Sequence, residues 1–123
     1  MPTIAVVDDD LRVLESVQNL LASGGYKAVT YSYAEMFLAS DGLSQTDCII
    51  ADVEMMQISG LGLLQRVRTS QSEVPVVIIT GKPLADPKAF HKGANGFVRK
   101  PIDGHALVDL IDDLLSRPVK PKS

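Results

Sequence analysis

The stretch Cys48-Ile49-Ile50-Ala51-Asp52-Val53 decides the fold, and an earlier one, Thr3-Ile4-Ala5-Val6-Val7-Asp8-Asp9-Asp10, repeats its logic. Each is a short β-rich run that is apolar without alternation and stops at an acid. Apolarity at successive positions marks a strand buried on both faces. Such strands belong to parallel sheets with helices on either side. Ligand-handling groups in these sheets gather beyond the carboxyl ends of the strands. Both acidic stops therefore stand where a site is expected.

Outward from these strands, the periodicity changes. Asp10 suits a helix N-cap, and Leu11, Leu14, Val17, Leu20 and Leu21 then fall on one helical face. Gly24-Gly25 ends that helix, because glycine accepts the left-handed C-cap conformation. Tyr26 to Tyr31 reads as a second strand, and Ser32 as the cap of a short helix holding Met36, Phe37 and Leu38. Beyond the Cys48 strand, Ser59 to Ser70 is helical, with Leu61, Leu64 and Val67 inward. Val74 to Thr80 is a strand interrupted near its start by Pro75, and Gly96 to Arg99 is a brief fifth strand. Asp103 caps a last helix to about Ser116, whose apolar face is Leu107, Leu110, Ile111, Leu114 and Leu115. The basic, proline-rich segment from Arg117 to Ser123 reads as a linker or free end.

The 123 residues suit one compact domain, 1–117, with 118–123 as linker or C-terminal tail. A net charge of −3 and a pI near 5.2 argue against direct nucleic-acid binding. Cys48 is the only cysteine, which excludes an internal disulfide, and its apolar neighbours predict burial. No apolar run approaches the roughly 18 residues of a membrane span. The start carries no basic segment ahead of an apolar stretch, so no secretion signal is expected and the cytoplasm is. His91 and His105 are isolated and read as surface or helix-end residues.

The strand ends assemble a chemistry. Strand one ends at Asp8 and Asp9, strand three at Asp52, strand four at Thr80 and strand five at Lys100. Crowded carboxylates repel and raise one another's pKa. A hard divalent cation relieves this, and magnesium prefers carboxylate oxygens and water with few protein ligands. Lys100 and Thr80 suit phosphoryl oxygens, one by charge and one by hydrogen bond. A carboxylate can then act as nucleophile and become an acyl phosphate.

Four segments carry a family resemblance in the right order: Ala5-Val6-Val7-Asp8-Asp9-Asp10, Ile50-Ala51-Asp52, Ile79-Thr80-Gly81, and Gly93-Ala94-Asn95-Gly96-Phe97-Val98-Arg99-Lys100-Pro101. From about Thr3 to Arg117 the chain resembles the receiver domain of two-component response regulators. The resemblance implies an α/β, flavodoxin-like (CheY-like) fold: a doubly wound five-stranded parallel sheet in the order 2-1-3-4-5. It implies Asp52 as phosphoacceptor. Asp8, Asp9, Asp52 and the backbone carbonyl of Glu54 would hold magnesium. Thr80 would be the switch hydroxyl, Phe97 the switch aromatic and Lys100 the phosphoryl-binding lysine, with a cis Lys100–Pro101 peptide. The implied partner is a histidine kinase or phosphotransfer protein, with homodimer formation on activation and no membrane contact. The chain would not be an enzyme beyond catalysing its own magnesium-dependent phosphorylation and dephosphorylation.

The first helix and Tyr33-Ala34-Glu35-Met36-Phe37-Leu38 are most similar to FixJ-type regulators. These carry a C-terminal helix-turn-helix domain, so DNA would be met only through a separate output domain. The alternative is a stand-alone receiver acting by protein contact or as a phosphate sink. A haloacid-dehalogenase-type phosphatase fits poorly, since its nucleophile follows the first strand as Asp-x-Asp and a cap domain is lacking.

Two stretches depart from the family. Met56 stands where proline is usual, and Gln57 where a turn residue is. The segment from Gly81 to Lys92 is roughly two residues short and holds Pro83 and Pro87. With Asp86 as N-cap, the fourth helix is then shortened to about Pro87–Lys92, because proline fits only a first turn. Glu54 and Lys82, each two residues beyond a site residue, are expected to pair over the site and lengthen the life of the phosphoryl group.

Overall fold

The computed structural model describes residues 2–40, 42–53, 60–81 and 93–116. The expectations for Glu54, Met56, Gln57, Lys82, the helix from Pro87 to Lys92, His91 and the tail from Arg117 lie outside the described residues.

Five strands form one parallel sheet: β1 (Thr3–Val7), β2 (Lys27–Tyr31), β3 (Cys48–Asp52), β4 (Val76–Thr80) and β5 (Gly96–Arg99). Their order is β2-β1-β3-β4-β5, as the resemblance implied. The helices are α1 (Leu11–Ser23), α2 (Ala34–Ala39), α3 (Gly42–Gln45), α4 (Gly60–Thr69) and α5 (Gly104–Ser116). Strand side chains alternate between faces, and the two cores divide accordingly. Ile4, Val6, Cys48, Ile50, Val77 and Ile79 join one core with Leu14, Val17 and Leu21 of α1 and Leu107, Ile111 and Leu114 of α5. Ala5, Val7, Ile49, Ala51, Val76 and Ile78 join the other with Phe37 of α2 and Leu63, Leu64 and Val67 of α4. Each large side chain so buried stabilises the fold by about 1.5–3 kcal/mol.

Local signals explain most boundaries. Asp10 caps α1, accepting a hydrogen bond from the Arg12 amide at 2.9 Å. Gly25 follows α1 with φ +89°, a conformation that costs other residues about 1–2 kcal/mol. Asp103 caps α5, accepting from the amides of His105 at 3.0 Å and Ala106 at 3.2 Å. Two expectations are corrected. Ser32 does not cap α2, which starts at Ala34 after Tyr33 with no side-chain cap, because the chain stays extended at Tyr33 after leaving β2. Leu11 is 68% exposed although it shares the apolar spacing, and the buried face of α1 begins one turn later at Leu14. The four residues of α3, a stretch to which the sequence assigned no element, form a helix with no buried residue, so no apolar periodicity announced it.

At the opposite edge of the sheet, Arg68 of α4 ties two loops together. Its Nη1 donates to the carbonyls of Ser72 at 3.0 Å and Val74 at 2.7 Å. Its Nη2 donates to the carbonyl of Gly93 at 2.8 Å and to Asn95 Oδ1 at 2.9 Å. Asn95 Oδ1 also accepts from the Val76 amide at 2.9 Å, so the entries to β4 and β5 are held as one unit. Among the described residues, no helix is long and apolar enough to cross a membrane.

Candidate functional site

Register brings the candidate residues together. Val7 pairs with Ala51, so one further step along both strands sets Asp8 beside Asp52. Ile79 pairs with Asp52, and Thr80 with Arg99, which carries Thr80 and Lys100 to the same edge. The Lys100 amide donates to the Thr80 carbonyl at 2.8 Å and anchors the chain as it leaves β5. The next peptide bond, Lys100–Pro101, is cis.

Among the described residues, three polar side chains are buried: Asp8 (1% exposed), Asp52 (5%) and Thr80 (2%). Burying charge without a partner is costly, and here the partner is Lys100. Its Nζ donates to Asp52 Oδ2 at 2.8 Å and lies 3.9 Å from Asp8 Oδ2. Burial alone would lower the Lys100 pKa. The hydrogen bond to Asp52 and the charges of Asp52, Asp8 and Asp10 outweigh it and hold the ammonium above its ordinary 10.5. Asp8 moves the other way for a carboxyl: burial pushes it from 3.8 up to about 6, and the charge of Asp52 adds to the rise. The Asp10 amide, donating to Asp8 Oδ1 at 2.9 Å, and Lys100 restrain that rise.

Asp8 Oδ2 is buried and accepts no hydrogen bond. An orphaned, buried carboxylate oxygen beside a second carboxylate is an electrostatic vacancy for positive charge beyond Lys100. The donor set is all oxygen, which suits a hard cation such as magnesium. Among the described residues, however, no three acidic, histidine or cysteine side chains are grouped so as to hold a metal by themselves. Asp9 is half-buried and follows Asp8 in the bend between β1 and α1. A cation here would rely on water for much of its shell, as magnesium commonly does. The fourth expected ligand, the Glu54 carbonyl, lies outside the described residues, as do both members of the Glu54–Lys82 pair.

Phe97 of β5 is half-buried and packs against the core that holds Ile78 and Leu64. Alternation aims Thr80 and Phe97 toward that face and Asp8, Asp52 and Lys100 toward the face of α1 and α5. The site therefore straddles the sheet edge.

Residues 4–112 match the family described as response regulator receiver domain. The chain belongs to that family. It is 36% identical over 116 residues to the transcriptional regulatory protein FixJ of Bradyrhizobium diazoefficiens, covering 91% of this chain and 56% of the relative. It is 33% identical over 111 residues to the response regulator protein TodT of Pseudomonas putida, covering 88% of this chain and 48% of the relative. The chain thus spans about half the length of the curated relatives it matches. A putative response regulator from Chloroflexus aurantiacus superposes with a TM-score of 0.86 at 30% identity, covering 95% of this chain and 100% of that one. The Thermotoga maritima response regulator TrrA, solved in complex with Mg(2+)-BeF, superposes with a TM-score of 0.84 at 26% identity, over 94% and 100% of the two chains. As a receiver domain of two-component response regulators, this chain has both the sheet order and the buried acid–lysine edge that its sequence suggested.

Proposed function

We propose that Asp52 is the phosphoacceptor of this receiver domain and takes its phosphoryl group from a histidine kinase or phosphotransfer protein. The observation that carries the reading is the Lys100 ammonium held 2.8 Å from Asp52 Oδ2 at the carboxyl end of β3. Lys100 orients the Asp52 carboxylate through its hydrogen bond, and its charge draws an anionic phosphoryl group toward the acceptor. Asp52 Oδ attacks phosphorus, the bond from phosphorus to the donor breaks, and an acyl phosphate remains on the carboxylate. Thr80 then offers a hydroxyl to a phosphoryl oxygen, and Phe97, two positions back on the neighbouring strand and on the same face, reads the change of position. Asp8, Asp9 and Asp52 are the residues that would hold magnesium, with the Glu54 carbonyl. Magnesium, when bound, supplies charge that screens the carboxylates from the incoming phosphoryl oxygens.

The chain is then a switch that catalyses only its own phosphorylation and dephosphorylation, working in the cytoplasm. The relatives FixJ, named a transcriptional regulatory protein, and TodT, named a response regulator protein, are about twice its length. That supports an output domain for DNA in the parent protein; homodimer formation on activation is a further part of the proposal. The test is intact mass after exposure to acetyl phosphate with magnesium. The wild type gains one phosphoryl group, and Asp52→Asn, whose amide is a poor nucleophile, gains none. Labelling of Asp52→Asn at the wild-type rate sinks the assignment.

A further inference from the structure

Two aspartates in series join the acceptor edge to the start of α1. Asp8 Oδ1 accepts from the Asp10 amide at 2.9 Å, and Asp10 Oδ1 accepts from the Arg12 amide, also at 2.9 Å. Each is a side chain bonded to the amide two residues on, a turn that aspartate favours. Asp10 belongs to both links: its amide serves Asp8 and its carboxylate serves α1. Its carbonyl is held too, by the Leu14 amide at 3.1 Å, and Leu14 is buried in the core with Val17 and Leu21. The packing of α1 on the sheet is thereby carried to a carboxylate of the site.

Asp8 is 1% exposed, and with Oδ1 committed to the Asp10 amide its Oδ2 accepts no hydrogen bond. A carboxylate is planar, so holding one oxygen restricts the other. Oδ2 is set 3.9 Å from Lys100 Nζ, whose short contact goes instead to Asp52 Oδ2 at 2.8 Å. The link depends on the backbone of Asp10, which is extended, with φ −94° and ψ 110°. The cap bond to the Arg12 amide favours that conformation. Alanine offers no such bond and has the highest helix propensity. At position 10 it would draw the backbone toward helical angles and take the amide off Asp8 Oδ1.

We propose that Asp10 is a positioning residue for cation binding: by capping α1 it aims its own amide at Asp8 Oδ1 and presets Asp8 Oδ2 as the free oxygen of the site. This role rests on the Asp8–Asp52 edge holding magnesium. Asp10 acts by geometry rather than by charge. Its carboxylate is 42% exposed, with Arg12 Nε 3.8 Å away, so solvent and Arg12 screen it.

The experiment uses magnesium alone, without a phosphoryl donor, on the full chain and its variants Asp10→Asn, Asp10→Ala and Asp103→Ala. Thermal unfolding across a magnesium titration gives an apparent Kd from the rise in Tm. Asparagine caps as well as aspartate, so Asp10→Asn should stay within about twofold of the wild type. Asp10→Ala should weaken magnesium about three- to tenfold, the size of one hydrogen bond less well held. Asp103→Ala removes the cap of α5. It should lower Tm much as Asp10→Ala does and leave the magnesium Kd in place. Equal weakening in Asp10→Asn and Asp10→Ala would make the effect one of charge, and no weakening in Asp10→Ala would leave Asp10 a helix cap only; either overturns the positioning role. Weakening of the same size in Asp103→Ala traces the effect to lost stability and overturns it as well. A wild type that magnesium does not stabilise overturns the cation reading itself, and the role of Asp10 with it.

Discussion

Replacing Asp8 with asparagine should stabilise the protein when divalent metal is absent. Burial, reinforced by Asp52, raises the Asp8 carboxyl from 3.8 to about 6. A rise of about two units corresponds to about 3 kcal/mol held against folding once Asp8 ionises. The sign follows from proton binding. Between about pH 4 and pH 6 the folded state binds more protons at Asp8 than the unfolded state, so this contribution falls as pH rises. Above pH 6 the penalty is present in full. Asparagine keeps an acceptor for the Asp10 amide but gives up the attraction of Lys100 at 3.9 Å and buries its own amide. A net gain of about 1–3 kcal/mol is expected at neutral pH, or about 3–6 °C in Tm per kcal/mol for a chain of this size. Urea unfolding in chelator at about pH 7.5 and about pH 4 measures it, and the gain should shrink to a small fraction at the acid end, where Asp8 is protonated in the folded state and only about half ionised in the unfolded one. Magnesium at about ten times its dissociation constant should add about 1.4 kcal/mol to the wild type and less to the variant. An asparagine variant less stable at neutral pH, or equally more stable at both pH values, would refute the electrostatic account.

Lys100→Met should cut the initial phosphorylation rate about tenfold or more, a loss of about 1.4 kcal/mol of transition-state stabilisation. Because the Lys100 pKa is raised, its contribution to stability is complete below about 10.5 and disappears as pH climbs through the folded value, so the variant should lack the wild type's alkaline loss. Comparing alkaline unfolding curves checks this. Arg68→Ala removes four hydrogen bonds to loop groups and should cost about 2–4 kcal/mol in urea unfolding, with Asp52 still labelled by acetyl phosphate. Burial pushes the Cys48 thiol up to about 12, so a thiol reagent should react only at the rate of unfolding; fast labelling of the native protein would show that β3 is open to solvent.

Much of the architecture was legible because it is written in local periodicity. Continuous apolar runs at Thr3–Val7 and Cys48–Asp52 depend on a strand having both faces covered, and that holds wherever its partners come from. Asp10 and Asp103 betray the helix starts for the same reason: a cap satisfies amides only two or three residues away. The strand-end acids named the site's location, since parallel strands deliver their carboxyl ends to one edge. What needed the tertiary structure involves groups far apart in the chain or conformations without a residue signal. Arg68 finds Gly93 and Asn95 across 25 and 27 residues, and no periodicity marks it. The end of α4 is turned at Gln71 with φ +69°, where no glycine gave warning. Asp8, Asp9 and Asp10 look alike in sequence, yet one is a buried carboxyl with an orphaned oxygen, one is a half-buried turn residue and one is a cap. Alternation, register and a lysine 48 residues beyond Asp52 separate their roles, because burial and charge act through space and the sequence orders residues only along the chain.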